Sequence, residues 1–90
     1  MFLIVYDICD AARLRRAAKL CEDYGVRVQK SVFESHAAGA AFEAFWRRLQ
    51  SIIDPEADSL VAYPVCDACA EKILVGGVAF RPETADLIVA

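Results

Sequence analysis

The stretch Phe2-Leu3-Ile4-Val5-Tyr6-Asp7-Ile8 decides the fold. It is β-branched or aromatic at most positions and shows no polar alternation, the pattern of a strand covered on both faces and therefore interior to its sheet. Leu3 and Val5 fall on one side, Phe2, Ile4 and Tyr6 on the other. Working outward, Asp10 is placed to cap a helix in which Leu14, Ala17, Ala18, Cys21 and Tyr24 recur at three- and four-residue steps, and Gly25 stops it. Strands are expected at Val26 to Gln29 and Val32 to Ser35 around a Lys30-Ser31 reversal. A second helix follows on the stripe Phe42, Phe45, Trp46, Leu49, Ile52 and Ile53, ended by Asp54-Pro55. Asp58 to Val65 reads as another strand, then comes the compact Cys66-Asp67-Ala68-Cys69 segment, with apolar pieces at Ile73 to Val75 and Leu87 to Val89.

The order β, α, β, β, α, β with an extra C-terminal strand predicts a single α+β domain over residues 1–90, a ferredoxin-like βαββαβ sandwich. Helices then cover only one face of the sheet. Either a second copy of the chain, in a face-to-face homodimer, or the C-terminal tail folded back must cover the other. Ninety residues enclose one small core, and an apolar content of 58% exceeds what a monomer of this size needs, which favours the homodimer. The longest apolar runs fall well short of the ~20 residues of a membrane-spanning helix, and the first lacks a basic leader. A cytoplasmic chain with free thiols and no membrane contact is expected.

Charge is unevenly spread. The chain carries a formal −3, yet residues 11–30 hold six basic side chains against two acidic ones. Arg13, Arg15 and Arg16 lie in the first turns of helix one, and Arg27 and Lys30 flank the second strand, so a fold joining those edges makes a strip that attracts phosphate. The competing reading is a solvated helix face. Ser31 and Phe33 stand beside the basic pair, where they could bond a phosphate and stack on a base, although Phe33 also suits the core.

Asp7 ends a buried strand, where a carboxylate needs solvent, a donor or a cation. It reads either as a strand-end acid bonded to nearby groups or as a ligand for a hard metal such as Mg2+, which takes one or two carboxylates and borrows the rest from water and phosphate. A two-fold axis beside it would supply a second Asp7. His36, the sole histidine, has no nucleophile partner in view and reads as a surface residue. Cys66 and Cys69 form half of a zinc-ribbon pattern, but Cys9 and Cys21 are no matching pair, so buried or semi-buried thiols come ahead of zinc shared across a dimer and of redox chemistry.

These residues resemble the CRISPR-associated Cas-two family. The resemblance rests on the first-strand Tyr6-Asp7, on Tyr24-Gly25-Val26-Arg27-Val28-Gln29-Lys30-Ser31-Val32-Phe33-Glu34, and on Tyr63-Pro64-Val65-Cys66-Asp67-Ala68-Cys69. It implies a ferredoxin-like homodimer packed sheet to sheet, with two roles. One is a Mg2+-dependent (or Mn2+-dependent) endonuclease acting on RNA or double-stranded DNA. The other is a non-catalytic DNA-binding adaptor that bridges dimers of the CRISPR integrase subunit during spacer acquisition. By the same resemblance Asp7 is the metal-binding and catalytic aspartate, completed by its copy across the dimer. Tyr6 and Asp10 line the site, Arg13, Arg15, Arg16 and Arg27 contact phosphates, and Ser31 and Phe33 lie close by. Cys9 stands where a Ser or Thr is more usual.

Overall fold

A computed structural model describes residues 1–78. Strand β1 (Phe2–Asp7) leads to helix α1 (Ala11–Tyr24), the hairpin β2 (Val26–Gln29) and β3 (Val32–Ser35), helix α2 (Gly39–Ile52), strand β4 (Ser59–Pro64) and a single turn α3 (Asp67–Ala70). The sheet order is β2-β3-β1-β4, antiparallel at every pairing, so β1 is interior as its unbroken apolar run requires. This is the α+β ferredoxin-like arrangement. The expected strand at Leu87 to Val89 lies outside the described residues.

Register across the sheet follows the pleat. Phe33, Ile4 and Ala62 form one row, and Phe33 and Ile4 lie in the core with Tyr6 beneath the two helices. From above, Ala17, Leu20 and Cys21 of α1 and Phe45 and Leu49 of α2 close that core. The apolar face of α1 is thus turned from the expected stripe: Leu20 is buried, while Leu14 is 36% exposed at the helix flank. Aromatic rings knit α2 to its neighbours, Phe42 stacking on Phe2 at 3.8 Å and Phe45 on Tyr24 at 4.7 Å between centroids.

Two local devices fix the β2–β3 hairpin. A bulge between Arg27 and Gln29 leaves Val28 without a partner on β3. It keeps Arg27 beside Phe33 on the helix-covered face while Val28 borders the opposite one. Gly25 is the residue at which α1 stops, as expected, and it has a second role. Its backbone is extended, and a Cβ there would come within 2.1 Å of the Glu34 carbonyl oxygen, so the chain crosses β3 too closely for any side chain. Beside it, the buried Ser35 hydroxyl donates to the Tyr24 carbonyl at 2.8 Å, satisfying an acceptor at the end of α1.

On the face without helices, Val32, Val5 and Val61 form one row and Leu3 pairs with Tyr63 in the next. Part of this face meets Ile73 to Gly76, which share a groove with Leu3, Val28 and Val32. Val61 and Tyr63 stay exposed at 40% and 53%. Cys66 and Cys69 are exposed, contrary to the expectation of buried thiols, because α3 is a single turn past the end of β4 that buries none of its residues. His36 is exposed as expected. No described helix is long and apolar enough to cross a membrane.

Candidate functional site

Asp7 is the last residue of β1, paired with Ser59 and exposed. Strand alternation gives it the parity of Leu3 and Val5, so it belongs to the open face of the sheet, at the end where β1 passes into α1. Beside it opens a cleft of about 550 Å3 between α1 and the β2–β3 turn. Tyr6, Ile8, Leu14 and Ala18 give it an apolar floor, and Arg15, Arg27, Lys30 and Ser31 a polar, mostly cationic rim. Asp7, Tyr6, Arg15, Arg27 and Ser31 are therefore brought together as the sequence predicts, joined by Lys30.

Arg27 is preorganised. Its guanidinium donates to the Lys30 carbonyl, meets Glu22 Oε1 at 3.3 Å and lies 4.7 Å from the centroid of Phe33. A planar cation held on three sides loses less freedom on meeting a phosphate than a free side chain. The Tyr6 hydroxyl is buried with no hydrogen-bond partner among the described residues. Burial pushes its pKa above the ordinary 10, and the nearby Arg27 charge offsets part of that rise, so Tyr6 is a neutral donor at physiological pH.

The remaining predicted residues lie elsewhere. Phe33 is 1% exposed and stacks within the core, so it supports Arg27 from below and presents no ring to a base. Asp10 caps α1, its carboxylate accepting the Arg13 amide at 2.9 Å. Arg13 grips Asp58 with two bonds, Nε to Oδ2 at 2.8 Å and Nη2 to Oδ1 at 3.2 Å. Arg16 faces a separate cleft of about 350 Å3 between α1 and α2, with Lys19, Asp23 and Arg48 on its walls. The three arginines of α1 thus point three ways: Arg13 to β4, Arg15 to the Asp7 cleft, Arg16 to α2.

Asp58, read from the sequence as the start of a strand, organises the loop beside the site. Besides Arg13 it accepts the Cys9 amide at 2.9 Å and the Asp54 amide at 2.8 Å, tying the loop after Asp7 to the start of β4. The Arg13 guanidinium, then the two amides, hold its carboxyl far below the usual carboxylate range. The Cys9 thiol donates to the Ala57 carbonyl at 3.1 Å.

Among the described residues no three His, Cys, Asp or Glu side chains cluster as a complete metal site. Asp7 is nonetheless an exposed hard-oxygen donor beside a phosphate-attracting rim, which fits Mg2+ or Mn2+ bound by one carboxylate per chain with water and phosphate as the other ligands.

Comparison with known proteins bears on the family and the fold. The sequence profile of the CRISPR associated protein Cas2 family matches residues 1–73. A Rhodospirillum rubrum protein named CRISPR-associated endoribonuclease Cas2 3 is 47% identical over 68 residues, 70% of this chain and 72% of that one. A Thermus thermophilus protein named CRISPR-associated endonuclease Cas2 2 is 36% identical over 89 residues, 99% of this chain and 94% of that one. The crystal structure of Streptococcus pyogenes Cas2 at pH 6.5 superposes with a TM-score of 0.74 at 39% identity, covering 80% of this chain and 93% of that one. With its sheet order, its first-strand Tyr6-Asp7 and a profile match that begins at the first residue, this chain belongs to the CRISPR-associated Cas2 family.

Proposed function

We propose that the protein is a metal-dependent endonuclease that hydrolyses phosphodiester bonds in RNA or double-stranded DNA and takes part in CRISPR spacer acquisition with the integrase subunit in the cytoplasm. The observation that carries this reading is the exposed Asp7 carboxylate at the mouth of a cleft rimmed by Arg15, Arg27 and Lys30. The names of the relatives as endoribonuclease and endonuclease support it.

In the homodimer the open faces of two sheets meet and each contributes one Asp7. Asp7 of each chain would hold a Mg2+ or Mn2+ ion, which would supply charge stabilisation at the scissile phosphate and an activated water. The chain's own residues bind and orient. Arg15, Lys30 and the preorganised Arg27 hold the phosphate backbone. The Ser31 hydroxyl offers a neutral donor to phosphate oxygens, while the buried Tyr6 underlies Arg27 at the cleft floor. Asp58, by fixing Arg13 and the Cys9 amide, keeps the loop after Asp7 in place.

A second reading, the non-catalytic adaptor bridging integrase dimers, draws on the same cleft, where three cationic side chains surround one carboxylate. That balance suits retention of DNA as well as cleavage. Purified protein with Mg2+ and labelled RNA or duplex DNA separates the two. The nuclease reading expects Asp7→Ala to abolish cleavage with the fold and nucleic-acid binding retained, and Arg15→Glu to weaken binding in a salt-dependent way. Cleavage that survives Asp7→Ala would remove the active-site assignment. No cleavage by the parent protein, with acquisition intact in the Asp7→Ala strain, would establish the adaptor.

A further inference from the structure

Four thiols occupy three environments. Cys21 is sealed in the core at 1% exposure, and burial pushes its pKa up to about 12, which leaves it inert. Cys9 spends its proton on the Ala57 carbonyl. Cys66 and Cys69 are both exposed and lie on one turn, where the Cys69 amide donates to Cys66 Sγ at 3.4 Å.

The backbone on either side of that turn is anchored. Val65 exchanges two bonds with Met1, its amide donating to the Met1 carbonyl at 2.8 Å and its carbonyl accepting the Met1 amino group at 3.2 Å. Beyond the turn, the Lys72 amide donates to the Cys69 carbonyl at 3.0 Å and the Ile73 amide to the Ala70 carbonyl at 3.3 Å. Two sulfurs held three residues apart on a fixed turn, open to solvent, have a high effective concentration for one another.

We propose that Cys66 and Cys69 form a reversible dithiol–disulfide pair, with Cys66 as the attacking thiol and a small-molecule disulfide as its oxidant. Hydrogen bonds from the Cys69 amide, and then from its thiol, hold the Cys66 thiol below its ordinary pKa, while Cys69 is raised by donating to Cys66. The Cys69 amide aimed at Cys66 Sγ at 3.4 Å stabilises a thiolate there, which fits Cys66 to attack and leaves Cys69 to resolve. The Cys66 thiolate attacks one sulfur of the oxidant, breaking its S–S bond and releasing one small thiolate, which takes up a proton. Cys69 loses its proton to solvent and its thiolate attacks Cys66 Sγ in the mixed disulfide. The Cys66–Cys69 bond forms and the second small thiol leaves protonated. The protein loses two hydrogens, and one oxidant disulfide becomes two thiols. In a reducing compartment such a pair rests as the dithiol and responds to oxidative load. It lies between β4 and Ile73 to Gly76, so its state is set where the chain turns back toward the open face of the sheet.

The test incubates the full chain with graded ratios of oxidised to reduced glutathione, traps free thiols by alkylation and maps the products by mass spectrometry. The expected product is a Cys66–Cys69 disulfide, with Cys9 and Cys21 alkylated and no glutathione retained. Cys69→Ser, in which the residue-69 amide still donates to Cys66 Sγ, should trap glutathione at Cys66 faster than Cys66→Ser acquires it at Cys69. A chain that keeps glutathione at either position, or whose oxidation falls on Cys9, overturns the pair. Equal trapping rates in the two variants overturn the assignment of Cys66 as the attacking thiol.

Discussion

At Asp58 one carboxylate receives the Cys9 amide, the Asp54 amide and two bonds from Arg13, residues that lie far apart in the chain or across a loop. Its folded-state pKa is depressed, so its contribution to stability is complete above the ordinary carboxylate value near ~4 and is lost as pH falls through the lower folded value. Asp58→Asn should therefore lower the thermal midpoint at pH 7, and the gap to the parent protein should shrink as the pH is taken down toward ~2, where the parent carboxylate also begins to protonate. Thermal melts across that range check it; a gap that stays constant with pH would contradict the role given to this carboxylate. The same scale shows what sequence reveals. Asp7 was legible because a charge closing an apolar strand demands an explanation. Asp58 was not, because its three partners are set by the meeting of β1, α1 and β4. Arg13, Arg15 and Arg16 looked alike in sequence, and only the helix's angle on the sheet sends them to different neighbours.

Among the elements, the crossing of α1 into β2 is the tightest joint. A methyl group at Gly25 would collide with the backbone carbonyl of Glu34 at 2.1 Å, and a backbone carbonyl cannot swing aside as a side chain can. Gly25→Ala should cost about 1–3 kcal/mol, a fall in thermal midpoint of roughly 4–8 °C per kcal/mol for a domain of this size. A neutral melt would show that the joint relaxes freely. Every element through β4 was legible from periodicity and turn residues, with strand ends displaced by a residue. Two features were not. The apolar face of α1 includes Leu20 and leaves Leu14 at the cleft, because the second helix packs against one flank only. The bulge at Val28 follows no sequence rule here, yet it directs Arg27 onto Phe33 and thus into the site.

For the whole molecule, the sheet's open face carries the functional argument. Val61 and Tyr63 remain exposed beside Leu3 and Val5, an apolar surface that a second copy would cover and that shares its parity with Asp7. Charge placed there should dissociate the pair: Val61→Asp or Tyr63→Asp is expected to sediment as a monomer where the parent protein sediments as a dimer. A parent protein that is itself monomeric at micromolar concentration would remove the shared site. Sequence anticipated this surface through the double-sided pattern of β1. It left open which cover the chain uses, because Ile73 to Gly76 share a groove with Leu3, Val28 and Val32 on the face that a second copy would also use.

In the proposed dimer two Asp7 carboxylates meet and hold one ion. Titration of the protein with Mn2+, followed by electron paramagnetic resonance of the free ion, counts the sites directly. One Mn2+ for every two chains is expected, with loss of that site in Asp7→Ala. One ion per chain, or a site that survives the Asp7→Ala substitution, would contradict it.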